Sequence, residues 1–225
     1  MPVEPEPSRW EFPSVDDDST GPHDDLVAIG GDLEAGTLLE AYRSGVFPMP
    51  VGGRRAELGW WSPEPRAILP TDGLIVSRSL RRSLRRFDVR VDTAFTAVVE
   101  ACGATDRAHG WITGEFVEAY TRLHQMGWAH SVETWTDEGE LVGGLYGVSI
   151  GSFFAGESMF HTATDASKVA LVHLVDLLRP HDDALLDVQW STDHLRTLGV
   201  VEIPRSEYLL RLHRATSRPP VDFRV

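Results

Sequence analysis

This sequence of 225 residues has one cysteine, one lysine, no excess of positive charge and no long apolar run. Because Cys102 is the single cysteine, a disulfide within the chain and a thiolate cluster are excluded. The formal net charge of −13 argues against a protein that coats nucleic acid without selectivity. No apolar run reaches the roughly 20 residues needed to cross a bilayer, and the amino terminus lacks the pattern of a secretion signal. We therefore expect a cytoplasmic protein with no membrane partner.

Apolar residues make up 42% of the chain, which is enough for a sizeable core, and the length suits one large or two modest domains. Proline and acidic residues dominate up to about residue 25, a composition typical of an irregular segment. A strand, a glycine turn and a helix follow, and from residue 67 strands and amphipathic helices alternate. We predict an α+β fold, with a small N-terminal domain and its acidic lead-in over residues 1–66 and a larger mixed-sheet domain over residues 67–225.

The stretch from residue 141 to residue 168 contains two strand-like apolar runs that are joined by a turn at Gly151-Ser152. The second run continues from Phe154 into Glu157, and a carboxylate at the end of an apolar strand is an unusual choice for solubility alone. Glycines recur in both runs, which indicates that another group approaches the backbone closely. We predict that this stretch is the floor of a substrate cleft.

Five arginines fall within nine residues in a candidate helix from residue 77 to residue 87. Like charges on one face repel each other, so the helix loses local stability by carrying them. They are either a solvated face or a site for phosphate oxygens, and in a chain this acidic we favour anion binding. The five residues are Arg78, Arg81, Arg82, Arg85 and Arg86.

Two further pairs of residues each have a structural interpretation and a ligand-binding interpretation. Trp60 and Trp61 precede two prolines; either ring can belong to the core, or it can stack on a base. Asp187 and Gln189 are two apart on the strand-like segment LLDVQW, so both side chains point to the same face. They form either a hydrogen-bonded pair at the strand end or a contact with a ligand, because an unpaired buried carboxylate would be costly.

The sequence predicts neither a metal site nor a cofactor. His124 and His130 are accompanied by no HxxxH motif and no cysteine pair, so we expect structural or hydrogen-bonding roles for both. No nucleophile elbow or P-loop is present. The glycines of GGLYGVSIGS do not lead into a helix and therefore cannot form a pyrophosphate cradle at a helix N-terminus.

In their order and spacing, a set of motifs resembles the bacterial leucyl/phenylalanyl-tRNA–protein transferases over roughly residues 10–212. The motifs are AIGGDL, GVFPMP, WWSPEPRAIL, SRSLRR, WITGEFVEAYTRLHQMGWAHSVETW, LVGGLYGVSIGSFFAGESMF, ASKVAL, LLDVQW and HLRTLGVVEIPR. The resemblance implies an acetyltransferase-like (GNAT-related) larger domain. It implies transfer of leucine or phenylalanine, and less often methionine, from tRNA to a protein that begins with arginine or lysine, which marks that protein for degradation. We expect a monomer.

The resemblance also assigns site residues. It places the ring that stacks on adenine at Trp60 or Trp61, and it places the catalytic residues at Asp187, Gln189 and Glu157. It assigns the acceptor stem of the tRNA to the arginine-rich helix. The pocket for the transferred side chain is implied at Leu145, Phe154, Met159, Leu174 and Leu186.

This transfer does not require a strong base. The donor ester is already activated, and an α-amine with a pKa near 7.7–8.0 is partly neutral at pH 7. We expect Gln189, oriented by Asp187, to accept a hydrogen bond from the amine, and Glu157 to hold the cationic N-terminal residue or order the site. Positioning could supply on the order of 7–11 kcal/mol. The alternatives are an acyl-CoA-dependent N-acyltransferase and a non-catalytic tRNA-binding module.

Overall fold

A computed structural model describes residues 1–15, 25–52, 57–104 and 111–224. The strands in this part of the chain are β1 (Leu26–Ile29), β2 (Phe47–Val51), β3 (Glu57–Trp61), β4 (Arg66–Leu69), β5 (Asp88–Val91), β6 (Ala129–Trp135), β7 (Leu141–Ile150), β8 (Phe153–His161), β9 (Leu185–Gln189) and β10 (Val201–Ile203). The helices are α1 (Ala35–Arg43), α2 (Arg78–Ser83), α3 (Phe95–Gly103), α4 (Gly114–Gln125), α5 (Ala166–Leu178), α6 (Asp193–Arg196) and α7 (Arg205–Thr216). None of these helices has the length and apolar character needed to cross a membrane.

The N-terminal part forms a three-stranded antiparallel sheet in the order β1-β3-β2. Helix α1 follows β1 because Leu38, Leu39 and Tyr42 recur at helical spacing, and all three are buried. The helix begins at Ala35, and Asp32 accepts a hydrogen bond from the backbone N–H of Glu34 at 3.1 Å. Residues 16–24 of the acidic lead-in lie outside the described residues.

The larger sheet has seven strands in the order β10-β4-β9-β8-β7-β6-β5. Every neighbouring pair is antiparallel except β8 and β9. Parallel strands need a crossover connection, and α5 provides it. The predicted α+β fold, with a small N-terminal sheet and a larger mixed sheet, is therefore confirmed. The domain boundary that the sequence places between residues 66 and 67 falls at the first residue of β4 and stays a prediction.

Alternation along the strands divides the core between the two faces of the larger sheet. Phe153 packs in the cluster that includes residues of α1, α3, α4 and α7. Its neighbour Phe154 packs in the cluster formed with α5. The residues after α7 join the second cluster through Val221 and Phe223, which are both buried. Functional side chains on adjacent strand positions consequently face different helices.

Candidate functional site

The candidate site lies where β8 and β9 stop pairing. Their parallel ladder ends at the pair Ala155 and Asp187. Against β7, Tyr146 pairs with Ser158 and the next residue pairs with Gly156, so Glu157 is the extra residue of a β-bulge. Bulges re-aim side chains and are frequent near active sites. Glu157 therefore lies at a bulge within β8, which continues to His161, and not at the strand end that the sequence predicts.

Gln189 is the last residue of β9 and has an unusual backbone. Its φ angle is +60°, a left-handed conformation that is uncommon outside glycine. Strained backbone of this kind often persists at functional sites. The residue is 7% exposed, and its side-chain atom Nε2 is buried without a hydrogen-bond partner among the described residues.

Asp187 is fully buried, and both of its carboxylate oxygens accept hydrogen bonds from other groups of the protein. Arg66 donates to it twice, from Nε to Oδ1 at 2.9 Å and from Nη2 to Oδ2 at 2.6 Å. The hydroxyl of Tyr208 donates to Oδ2 at 2.9 Å, and the backbone N–H of Gln189 donates to Oδ1 at 2.9 Å. Asp187 thus fixes the backbone of Gln189 and makes no hydrogen bond to its side chain. Arg66, not the amide of Gln189, is the main partner.

Arg66 is as buried as its carboxylate partner, at 1% exposed. Its guanidinium lies between the rings of Phe47 and Tyr208, with 4.9 and 4.4 Å to the ring centroids, and Nη1 donates to the carbonyl of Gly45 at 3.1 Å. Burial alone would lower the pKa of Arg66, but the adjacent carboxylate of Asp187 raises it. Arg66 therefore stays charged and ties β2, β4, β9 and α7 together.

Glu157 faces a group of three tyrosines. Tyr120 donates to Oε2 at 2.8 Å, and the hydroxyls of Tyr42 and Tyr120 are 2.6 Å apart. The other carboxylate atom, Oε1, is buried and has no partner in the part of the chain that the structure describes, and the same holds for the hydroxyl of Tyr146. Burial raises the pKa of Glu157 to about 7, partly offset by the tyrosine hydrogen bonds. The carboxyl group can therefore both bind and release a proton near neutral pH.

Buried polar atoms are normally hydrogen-bonded, and in the described residues the exceptions concentrate at this site. Six side-chain atoms are buried and unpartnered. Three belong to Glu157, Gln189 and Tyr146, and a fourth belongs to Ser191, two residues beyond the end of β9. The site therefore presents acceptors and donors that the protein itself does not use.

The two tryptophans differ in accessibility. Trp60 is 2% exposed, packs edge-on against Phe12 and donates from Nε1 to the carbonyl of Gly30 at 2.8 Å. It is a core residue, and its ring is not accessible for stacking on a base in this structure. Trp61 is half-buried and lies edge-on to Trp190, 6.0 Å between ring centroids. Since Trp190 directly follows Gln189, the ring of Trp61 lies near the end of β9.

The predicted apolar pocket residues come together, but they are packed against one another. Leu145, Phe154, Leu174 and Leu186 are 0–5% exposed, and only Met159 is partly accessible. All five belong to the cluster beneath α5. The side chains of Glu157 and Asp187 contact Tyr120 and Tyr208 on the opposite face. The five apolar residues and the polar pair Glu157 and Asp187 therefore lie on opposite faces of the sheet, and the two groups come together at the end of the β8–β9 ladder.

The arginine-rich helix is shorter than predicted. Ser77 caps it by accepting from the backbone N–H of Leu80 at 3.1 Å, and α2 ends at Ser83. Arg85 and Arg86 therefore lie beyond the helix. All five arginines are exposed, and in the described part of the chain none of them forms a salt bridge. Leu80 packs against α5, which places this basic patch beside the helix that follows β8.

Sequence reasoning missed Arg66, Tyr208, Tyr42 and Tyr120, which surround the three predicted catalytic residues. Arg66 stands in the motif WWSPEPRAIL directly before an apolar run, and a charged residue there hints at a buried partner. The tyrosines occupy core positions of amphipathic helices, so their pattern does not separate them from ordinary apolar packing.

A second cluster of side chains with ligand atoms includes His124, which lies on the same helix as Tyr120. Asp92, His124 and His130 offer oxygen and nitrogen atoms that are all within 4.8 Å of one another. As the sequence predicts, both histidines make hydrogen bonds: His130 Nδ1 to Asp92 Oδ2 at 2.6 Å, and His124 Nδ1 to the carbonyl of Ala129 at 2.8 Å.

Comparison with known proteins connects both parts of the chain to one family. The model described as "Leucyl/phenylalanyl-tRNA protein transferase" matches residues 68–213. The model of the N-terminal domain of the same family matches residues 31–64.

Individual relatives carry the same name. A leucyl/phenylalanyl-tRNA–protein transferase of Nitrosomonas europaea is 52% identical over 198 residues, which cover 86% of this chain and 83% of the relative. Another from Nitratidesulfovibrio vulgaris is 50% identical over 213 residues, which cover 92% and 88%. Among solved structures, L-PGS from Bacillus licheniformis aligns over 69% of this chain and 65% of its own, at 12% identity and a TM-score of 0.38, a likeness too weak to bear on the fold.

Proposed function

The chain belongs to the leucyl/phenylalanyl-tRNA protein transferase family and is an aminoacyltransferase, and we propose a role for individual residues in the reaction. In this reaction leucine or phenylalanine is transferred from aminoacyl-tRNA to the N-terminus of a protein. The observation that supports these roles best is the pair Glu157 and Gln189. Each carries a buried polar atom to which the described residues offer no partner, and both residues follow the end of the same strand ladder.

In the proposed reaction the lone pair of the acceptor α-amine attacks the ester carbonyl carbon of the aminoacyl-tRNA. The bond from this carbon to the ribose oxygen then breaks, an amide bond forms, and the amine proton finally reaches the ribose oxygen that leaves. The ester is already activated, so alignment of amine and carbonyl supplies the larger share of the barrier reduction.

Glu157 is proposed as the group that takes the amine proton through Oε1. The pKa of about 7 for Glu157 is close to that of an α-amine, and a base with a pKa near the working pH is the most effective. Tyr120 donates to the other oxygen and so holds the carboxylate in place. This proposal replaces the expectation that Glu157 holds the cationic N-terminal residue or orders the site.

Gln189 is proposed to contact the reacting groups through its side-chain amide, whose oxygen can accept from the amine. Asp187 is then a positioning residue, because all its hydrogen bonds go to Arg66, Tyr208 and the backbone of Gln189. Its contribution is to hold β9 in the strained form that aims Gln189. An ion pair of this kind does not act as a base.

The leucine or phenylalanine side chain is proposed to enter between β8 and β9, past Gly156, toward the cluster beneath α5. A Cβ atom on Gly156 would be 3.5 Å from the carbonyl oxygen of Asp187 and 4.0 Å from Leu186 Cδ1, so this glycine borders both sets of residues. Met159 is the accessible edge of the apolar cluster. Flexible methionine adapts to different shapes, which supports acceptance of methionine beside leucine and phenylalanine.

The tRNA is proposed to contact two surfaces. Trp61 can stack on the terminal adenine, since its ring is half-buried near the end of β9. The five arginines of the basic patch, which the described structure leaves without salt bridges, are available to phosphates of the acceptor stem. The acceptor protein is proposed to begin with arginine or lysine, in keeping with the acidic character of the chain.

One assay tests this function against its alternatives. Labelled leucyl-tRNA is incubated with the protein and with peptides that differ only in the first residue: arginine, lysine, alanine or glutamate. We expect label on the arginine and lysine peptides alone. Transfer from leucyl-CoA in place of leucyl-tRNA would identify an acyl-CoA enzyme, and tight tRNA binding without transfer to any peptide would identify a binding module; either result contradicts the proposal.

A further inference from the structure

Asp92, His124 and His130 come from three elements that the sequence gives no reason to connect. Asp92 follows β5 and has a φ angle of +58°, His124 is in the last turn of α4, and His130 is the second residue of β6. Besides the short contact between Asp92 and His130, the Nδ1 atom of His124 is 3.7 Å from Asp92 Oδ1. Two imidazoles and a carboxylate therefore converge on one point.

We propose that these three residues bind a divalent transition-metal ion of the zinc type. Imidazole nitrogen and carboxylate oxygen are common zinc ligands, at about 2.0–2.2 Å from the metal, which places the ligand atoms of a tetrahedral site roughly 3.3 Å apart. The contacts of 2.6 and 3.7 Å lie on either side of that spacing. Small side-chain shifts are thus sufficient, and water or the carbonyl of Ala129 can complete the coordination.

The surroundings hold the proposed ligands in place. The ring of His124 is stacked on Phe95 with 4.3 Å between centroids, and the ring of His130 is stacked on Phe223 with 4.0 Å. Asp92 Oδ1 also accepts from the backbone N–H of Ser131 at 2.9 Å. Groups that orient ligands in this way are typical of metal sites. The side chains of Asp92, His124 and His130 are 25%, 25% and 15% exposed, so an ion can reach them.

Metal binding would exchange one set of bonds for another. Ligand atoms must be free of protons to bind a metal, so zinc binding weakens as the pH falls. His124 lies one helical turn after Tyr120, which donates to Glu157. Phe223, on the C-terminal residues, covers His130. A bound ion would therefore join α4, β6 and the turn before α3, and we expect it to raise thermal stability.

The test uses the full-length chain after removal of metal by a chelator. Zinc chloride is titrated calorimetrically, and cobalt(II) is titrated while visible absorption is followed, because four-coordinate cobalt with nitrogen and oxygen ligands absorbs in that range. We expect one saturable equivalent of each ion and a rise in Tm with zinc. Absence of saturable binding by the wild-type chain would overturn the proposal.

Variants locate the ion. His130→Ala and His124→Ala should weaken zinc binding at least ~10-fold, and Asp92→Asn, which keeps size and one acceptor oxygen, should also weaken it if the ring replacements unfold the chain. His194→Ala removes an exposed histidine elsewhere and should leave the affinity unchanged. Equal affinity in wild type and all three ligand variants, or a loss in His194→Ala alone, would place the ion elsewhere and contradict the assignment.

Discussion

The carboxylate of Asp187 is held by Arg66 through two parallel hydrogen bonds, at 2.9 and 2.6 Å, in a region where both side chains are almost fully buried. The remaining acceptor positions of Asp187 are taken by Tyr208 and the backbone of Gln189. A carboxylate bound this way has no position free for a substrate proton. The hydrogen bonds of Asp187 instead fix the position of the end of β9, which is consistent with a positioning role.

This relationship predicts a large effect on stability when one partner is removed. Asp187→Ala leaves the charge of Arg66 buried and uncompensated, and should lower the free energy of unfolding by roughly 3–5 kcal/mol. Arg66→Met combined with Asp187→Leu should cost far less, because neither charge remains. Denaturant unfolding of the three proteins measures this. Asp222→Ala, which breaks an exposed pair with Arg224, is the control, and an effect of Asp187→Ala no larger than that of the control would disprove the pairing.

The raised pKa of Glu157 predicts a pH-dependent stability difference. The folded chain keeps the proton up to about pH 7, whereas the ordinary pKa of this carboxyl is 4.5. Between these values the folded state binds more protons, so the stability contribution of Glu157 falls as the pH rises. Glu157→Gln, which cannot ionise, should gain relative to wild type between pH 4.5 and pH 7, by roughly 3 kcal/mol. Thermal unfolding across this range checks it, and a difference that does not change with pH would contradict the buried carboxyl.

The two tryptophans should respond differently to replacement. Trp61→Ala should weaken binding of leucyl-tRNA by about 1–3 kcal/mol, the value of one stacked base, with little change in folding. Trp60→Ala should destabilise the chain by about 3–5 kcal/mol, because a buried ring is lost. Binding titrations and denaturant unfolding of both variants give the two numbers. Loss of tRNA affinity in a well-folded Trp60→Ala, with Trp61→Ala unaffected, would reverse the assignment.

The basic patch should act through charge alone. Arg82→Ala should weaken tRNA binding and reduce the slope of log K against log salt by about 0.7–0.9 for each phosphate that is no longer neutralised. Arg224→Ala, at an arginine already paired with Asp222 and 89% exposed, is the matched control. Affinity measured over a series of salt concentrations decides the matter. A slope that stays unchanged in Arg82→Ala would assign the patch to a solvated surface.

The sequence was sufficient for the fold class and insufficient for the arrangement of the candidate site residues. Alternating apolar runs and helical spacing predict the mixed sheet and the helices that alternate with its strands, because both follow from local periodicity. The bulge at Glu157 does not follow from local periodicity, because the register between strands depends on partners far along the chain. The ion pair of Arg66 and Asp187 joins residues 121 positions apart, and no local pattern connects them.

Accessibility was the other property that the sequence left open. Trp60 and Trp61 are adjacent and chemically identical, and only the pairing of β3 with β1 and β2 places one ring in the core. His124 and His130 form no recognisable metal motif because their third partner, Asp92, lies at least 32 residues earlier in the sequence. The residues predicted to line the apolar pocket are neighbours in one cluster, whereas their closed packing and their position across the sheet from Asp187 depend on contacts between distant parts of the chain.

Single-turnover transfer tests most directly whether Glu157 and Gln189 act on the amine at the end of the β8–β9 ladder. Labelled leucyl-tRNA at saturating enzyme is mixed with an arginine-initiated peptide, for wild type, Glu157→Gln, Gln189→Ala and the surface control Glu207→Gln, with tRNA affinity measured in parallel. We predict that the Glu157 and Gln189 variants slow transfer at least about 100-fold, the lower end for acid–base groups, while tRNA affinity and the control stay unchanged. Wild-type transfer rates in both Glu157→Gln and Gln189→Ala would contradict the account.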